Sequence, residues 1–111
     1  MTKFTIDWPD NYGNSYRYWS EPLNATFRAE RGNYMFVKPA SGGYLPVYIG
    51  RADSLRDRLY NHERAAEAKL AGATLIMAHT TPAGEQASAD EERNLIARWQ
   101  PPLNVHHKKV S

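Results

Sequence analysis

Apolar residues in the chain come in short runs separated by turn formers, and the character of the runs changes along it. Asn33 to Lys38, with Tyr34-Met35-Phe36-Val37 inside, and Pro46 to Gly50 are rich in aromatic and β-branched residues, and Pro39-Ala-Ser-Gly-Gly lies between them. This pattern predicts two strands joined as a hairpin by a longish loop. After Gly50 the period lengthens. Asp53 or Ser54 can act as an N-cap, and Leu55, Leu59, Ala66 and Leu70 fall on one helical stripe that stops at Gly72, which predicts a single helix of roughly four to five turns. Thr74 to Thr80 reads as a third strand, ended by Pro82. Glu85 to Trp99 reads as a second helix, with Ser88 and Glu91 spaced as a capping pair and Pro101-Pro102 preventing its continuation.

The first thirty residues are different. Trp8, Tyr12, Tyr16, Tyr18 and Trp19 are broken up by Pro9, Gly13 and Pro22, and the segment reads as an irregular arm covering part of the core. The order strand, strand, helix, strand, helix predicts an α+β fold with a small, mostly antiparallel three-stranded sheet flanked by helices.

A length of 111 residues accommodates one domain with one core. A chain that is 41% hydrophobic and 23% charged has globular composition rather than that of a disordered or fibrous segment. The absence of cysteine excludes disulfides, thiolate metal sites and thiol nucleophiles. No apolar run approaches the roughly 18 residues of a membrane span, and no secretory signal is present; a soluble cytoplasmic protein is expected. The net charge of +2 is unevenly spread: Arg31, Lys38, Arg51, Arg56, Arg58 and Arg64 face only Asp53, Asp57 and Glu63 in the same stretch. A locally basic surface of this kind is compatible with a phosphate-bearing partner.

Several polar residues stand where a simple core would not place them. On a helical wheel Leu95, Ile96 and Trp99 lie within about 60° of Glu92, so its carboxylate projects from an apolar stripe. Burying it requires a cation, a metal or several donors, so Glu92 is either half of an ion pair or a metal ligand. Glu85 projects from the same face at the helix N-terminus, where a carboxylate suits the dipole. Arg58 and His62, four apart beside Leu55 and Leu59, point along the core margin; a guanidinium there suits either a salt bridge or phosphate oxygens, and His62 either a satisfied core position or a site. Tyr34 and Tyr48 are ordinary strand residues individually. Together with Arg58 and Glu92 they can converge on one sheet face and supply a base, charge stabilisation and a metal ligand.

Five segments in order, Gly32-Asn33-Tyr34, Val47-Tyr48-Ile49-Gly50-Arg51-Ala52, Ser54-Leu55 with Arg58 and His62, Glu92 with Leu95-Ile96, and Pro102-Leu103-Asn104, resemble the GIY-YIG nuclease superfamily, including the nuclease half of bacterial excision-repair incision proteins. The resemblance divides the chain into an N-terminal arm (1–31), a nuclease-like domain (32–104) and a basic C-terminal tail (105–111). It implies a metal-dependent endonuclease that hydrolyses DNA phosphodiester bonds to 5′-phosphate and 3′-hydroxyl ends. By that resemblance Tyr34 acts as base or orients the attacking water, Tyr48 hydrogen-bonds within the site, Arg58 stabilises phosphate charge and Glu92 holds one Mg²⁺ or Mn²⁺. Arg51, His62 and Asn104 take supporting positions by the same resemblance. From the charge distribution, Arg51, Arg56, Arg58 and Arg64 are expected to face DNA. The alternative implied by the same likeness is a catalytically inactive nucleic-acid-binding module working within a larger assembly. The first motif departs from the family pattern by placing the polar Asn33 where an aliphatic residue is usual, and Met35 to Val47 makes a long connection between the two tyrosines.

Overall fold

The computed structural model describes residues 3–104; the basic tail expected at 105–111 lies outside them. Five strands, β1 (Thr5–Pro9), β2 (Ser15–Pro22), β3 (Gly32–Ala40), β4 (Gly43–Ala52) and β5 (Leu75–Thr80), form one sheet in the order β1-β2-β5-β3-β4. Every neighbouring pair is antiparallel. The expected three-stranded sheet is therefore corrected to five strands, because the segment read as an irregular arm supplies two of them. Pro9 and Pro22 terminate β1 and β2 rather than interrupting them, and Gly13, at φ +86°, makes the turn that joins them. These are positions where proline and glycine are compatible with strands.

The other connections are also shorter than expected. Pro39 and Ala40 pair with Tyr44 and Gly43, so the β3–β4 hairpin closes tightly on Ser41-Gly42 in place of a long loop. Its extra residue sits in a bulge: Phe36 pairs with Tyr48 and Val37 with Pro46, leaving Val47 between them. The single helix expected after Gly50 is two short ones, α1 (Leu55–Leu59) and α2 (Ala65–Leu70). Tyr60 is extended, ψ 113°, and Asn61 takes a left-handed backbone conformation after it, φ +56°, which together end the helical path. The last helix, α3 (Glu85–Trp99), has the expected bounds and stops at Gln100 in the left-handed region, just before Pro101. No helix among the described residues is long and apolar enough to cross a membrane.

Two clusters of apolar side chains lie on the two faces of the sheet. Tyr34, Phe36, Ile76 and Ala78 pack with Leu55 and Ala68 beneath α1 and α2, while Met35, Val37, Leu75 and Met77 pack with Leu95 and Ile96 beneath α3. The strand periodicity of two explains the division, since neighbours on β3 and β5 point to opposite faces. β3 is buried from Gly32 to Val37, a central strand covered on both sides.

Polar side chains tie α3 to this sheet. Buried Asn33 donates to the Ser88 carbonyl at 2.9 Å and accepts from the Ser88 and Thr81 hydroxyls at 2.7 and 3.2 Å. Asn33 therefore occupies an interior position without an unsatisfied amide oxygen, which accounts for the polar residue in the first motif. Three residues along α3, the buried Glu91 accepts from the Tyr18 hydroxyl at 2.6 Å and lies 3.4 Å from Nε2 of His79, whose Nδ1 is 2.8 Å from the Arg17 carbonyl. A carbonyl and a carboxylate on the two ring nitrogens favour the imidazolium, and hydrogen bonding to Glu91 raises the His79 pKa against the opposing effect of burial. Tyr18 stacks on the ring and Tyr16 meets it edge-on.

Because His79 binds its proton more tightly folded than unfolded, the stability it contributes is complete below its unfolded value of about 6.5 and is lost as pH rises through the raised folded value. Thermal and denaturant melts of Glu91→Gln should show a cost of about 3 kcal/mol near pH 6, shrinking to about 1 kcal/mol near pH 9. An equal cost at both pH values would show that the His79–Glu91 pair is not ionic.

Candidate functional site

Tyr34 stands on β3 directly opposite Gly50 on β4. A Cβ at position 50 would meet the Tyr34 Cζ and hydroxyl oxygen at 2.5 Å, so the fully buried phenol keeps its place only because that strand carries no side chain there. Its oxygen lies 2.6 Å from Nε2 of His62. His62 reaches it because the chain leaves the helical path at Asn61; on a continuous helix it would have stayed beside Arg58.

The proton on this contact can be placed. The Arg64 backbone N–H donates to Nδ1 of His62 at 2.9 Å. Burial, reinforced by the Arg58 charge, pushes the His62 pKa down to about 4, so the ring is neutral at pH 7. With Nδ1 accepting, the single ring proton is on Nε2 and is donated to the Tyr34 oxygen. Burial raises the Tyr34 pKa well above that of a free tyrosine, Tyr48 adds to the effect, and Arg58 opposes it. The phenol is consequently protonated at neutral pH, with its own hydrogen not committed to His62.

Tyr34, Tyr48, Arg51, Arg58 and Glu92 line one open cleft of about 690 Å³, with Gly50, Ala52, Asp53, Ser54 and Asp57 completing its wall. Four separate elements contribute to it. β4 is an edge strand, and its alternation brings Tyr48 from the α1 side and Arg51 from the α3 side. The Tyr34 and Tyr48 rings are 6.2 Å apart. Arg58 projects from α1 and pairs with Glu63. Glu92, largely buried, lies with its carboxylate 3.2 Å from Nε of Arg51, which also reaches Glu85 at 3.8 Å.

The remaining residues singled out in the sequence lie off the cleft. Arg56 is exposed on α1 and bonds to Asp57 at 3.0 Å. Arg64 pairs with Glu67, donates to the Leu103 carbonyl at 3.0 Å and covers the Tyr48 ring at 5.4 Å, so it clamps the C-terminal segment behind the site. Buried Asn104 accepts from the Ile49 N–H at 2.8 Å and donates to the Ile49 carbonyl at 2.9 Å. Its amide thus acts as a substitute strand partner on the open edge of β4.

Sequence reasoning missed two kinds of group here. Glu91, not Glu92, is the most deeply buried carboxylate of α3, and the helical spacing of Ser88, Glu91 and Leu95 carried that information once a partner for Glu91 was known. Asp53, expected as a charge or an N-cap, and Asp57, expected only as a charge, both line the cleft; the cap is Ser54, and Asp53 is held by Arg31 at 2.6 Å.

The donor set suits a hard cation bound through few protein ligands. Among the described residues no three histidine or carboxylate side chains come together as a metal cage, but one carboxylate ligand, Glu92, on a wall of hydroxyl and carboxylate oxygens would match an ion that keeps several waters and takes the rest of its ligands from a phosphate. No protein-family model, curated protein or solved structure matches the chain.

Gly50→Ala should displace the Tyr34 ring and cost about 1–3 kcal/mol through overpacking. The checks are a thermal melt and the near-ultraviolet circular dichroism of the tyrosines. An unchanged melt and spectrum would refute the close approach.

Proposed function

We propose that the chain is a metal-dependent endonuclease of the GIY-YIG type, hydrolysing DNA phosphodiester bonds to 5′-phosphate and 3′-hydroxyl ends. The observation that carries this reading is the convergence of Tyr34, Tyr48, Arg51, Arg58 and Glu92 from separate elements on one cleft. Convergence of these groups supplies the three things that the hydrolysis needs: a proton acceptor, cations for the nonbridging oxygens, and a carboxylate for a metal.

Glu92 would hold a single Mg²⁺ or Mn²⁺, which when bound supplies Lewis-acid stabilisation of the leaving 3′ oxygen. Arg58, and Arg51 at the rim, neutralise charge on the phosphate as the attacking oxygen approaches. Tyr34 is the acceptor for the proton of the attacking water, and for that it must first lose its own to solvent in the cleft, since Nε2 of His62 already carries a proton. Burial opposes this loss. The Nε2–H of His62 favours it, because a donated hydrogen bond is stronger to a phenolate than to a phenol. Tyr48 orients the groups beside it. Arg51 and Arg58 in the cleft would contact phosphates and not base edges, so cleavage should be sequence-tolerant.

Nicking of supercoiled plasmid with Mg²⁺, and its loss in EDTA, tests the reading. Glu92→Gln and Tyr34→Phe should each slow nicking by about 100-fold or more while the fold is kept, and the wild-type rate should climb from about pH 6 to pH 9, because the ionised fraction of the phenol, small throughout this range, grows with each pH unit. Wild-type nicking by Glu92→Gln would remove the metal role. DNA binding without any nicking by the wild-type chain would favour the inactive binding module instead.

A further inference from the structure

Glu92, the carboxylate assigned to the metal, already has a cation beside it. Nε of Arg51 is 3.2 Å from one Glu92 oxygen, and a second nitrogen of the same guanidinium is 3.8 Å from Glu85. Glu85 and Glu92 are two helical turns apart on α3 and face the same way, so one arginine on β4 bridges two carboxylates. The environments of the two differ. Glu92 is only 16% exposed, whereas Glu85 is 69% exposed and Arg51 lies between at 37%. A largely buried carboxylate needs a cation or several donors beside it, while an exposed one is solvated without help.

We propose that Arg51 is a place-holder for the metal ion and a positioning residue for Glu92. In the ion-free protein its guanidinium supplies the counter-charge that keeps Glu92 ionised and aimed into the cleft. A divalent cation at Glu92 takes over that role, and Arg51 swings to Glu85, its second carboxylate. The exchange keeps a cation beside Glu92 before and after the ion arrives and avoids a guanidinium pressed against the ion. It also leaves the donors of Arg51 that Glu85 does not use at the cleft rim, which couples metal loading to phosphate contact. The inference rests on the reading of Glu92 as the metal ligand.

Binding of Mn²⁺ to the folded chain without DNA, followed by the electron paramagnetic resonance signal of the free ion, tests it. Arg51→Gln should tighten Mn²⁺ binding by about fivefold, the equivalent of one partly exposed ion pair no longer competing. Arg58→Gln removes the same charge from the same cleft at a residue that pairs with Glu63 and should change affinity by less than about twofold. Glu85→Gln should weaken Mn²⁺ binding in the wild-type background and have no effect once Arg51 is glutamine, a non-additivity that a merely structural Arg51 would not produce. Far-ultraviolet circular dichroism confirms that each variant is folded.

Equal effects of Arg51→Gln and Arg58→Gln, or a Glu85→Gln effect independent of Arg51, would overturn the exchange while leaving the metal site in place. Mn²⁺ binding unaffected by Glu92→Gln, or absent from both the wild type and Arg51→Gln, would overturn the metal site and the exchange with it.

Discussion

β3 is covered on both faces, so each polar side chain it carries must find its partner inside the protein, because a buried group left without one costs more than most single contacts return. Two such side chains follow each other and point opposite ways. Asn33 faces α3 and is met by Ser88 and Thr81; Tyr34 faces the α1 side and is met by His62. Much of the architecture follows from serving these two residues. α3 must present Ser88 at one height, which sets where Glu91 and Glu92 fall, and the helix after β4 must break so that His62 can turn inward.

The cleft inherits its electrostatics from the same arrangement. Adjacent glutamates on α3 have separate partners: Glu91 is held by Tyr18 and His79 inside the sheet layer, and Glu92 by Arg51 at the cleft. The two histidines have opposite protonation for comparable reasons. His79 lies between two acceptors and is favoured as a cation, whereas His62 is held neutral by burial and by the Arg58 charge, with a backbone N–H on one of its nitrogens. Their contributions to stability therefore run in opposite directions with pH: the His79 term fades as pH rises, and the His62 term fades as pH falls from about 6.5 toward its depressed folded value.

The legible part of the fold was the part with strong periodicity. Tyr34 to Val37, Val47 to Gly50 and Leu75 to Thr80 are dense apolar runs, and α3 carries a clean helical stripe with proline beyond it, so these elements and the gathering of Tyr34, Tyr48, Arg58 and Glu92 could be read from residues alone. β1 and β2 were illegible because Pro9, Gly13 and Pro22 look the same at strand ends as in an irregular arm. The break at Asn61 was hidden for another reason: Leu55, Leu59, Ala66 and Leu70 keep helical spacing across it, and only the tertiary demand of Tyr34 for a donor distinguishes one helix from two. Asn33 and Glu91 likewise make sense only with their partners from distant strands and helices. Asn104, expected in a supporting position, uses its amide on the β4 edge beside Tyr48.

The central claim is that a neutral His62 holds the buried phenol of Tyr34 by donating from Nε2. Long-range proton–nitrogen correlation spectra of the imidazole read this directly, since the protonated and unprotonated ring nitrogens have distinct shifts. The account predicts one unchanging neutral form of His62 from about pH 5.5 to pH 8, with the proton on Nε2 and Nδ1 bare, titrating only as the pH approaches the depressed value of about 4. An imidazolium at pH 7, or a proton on Nδ1, would contradict it.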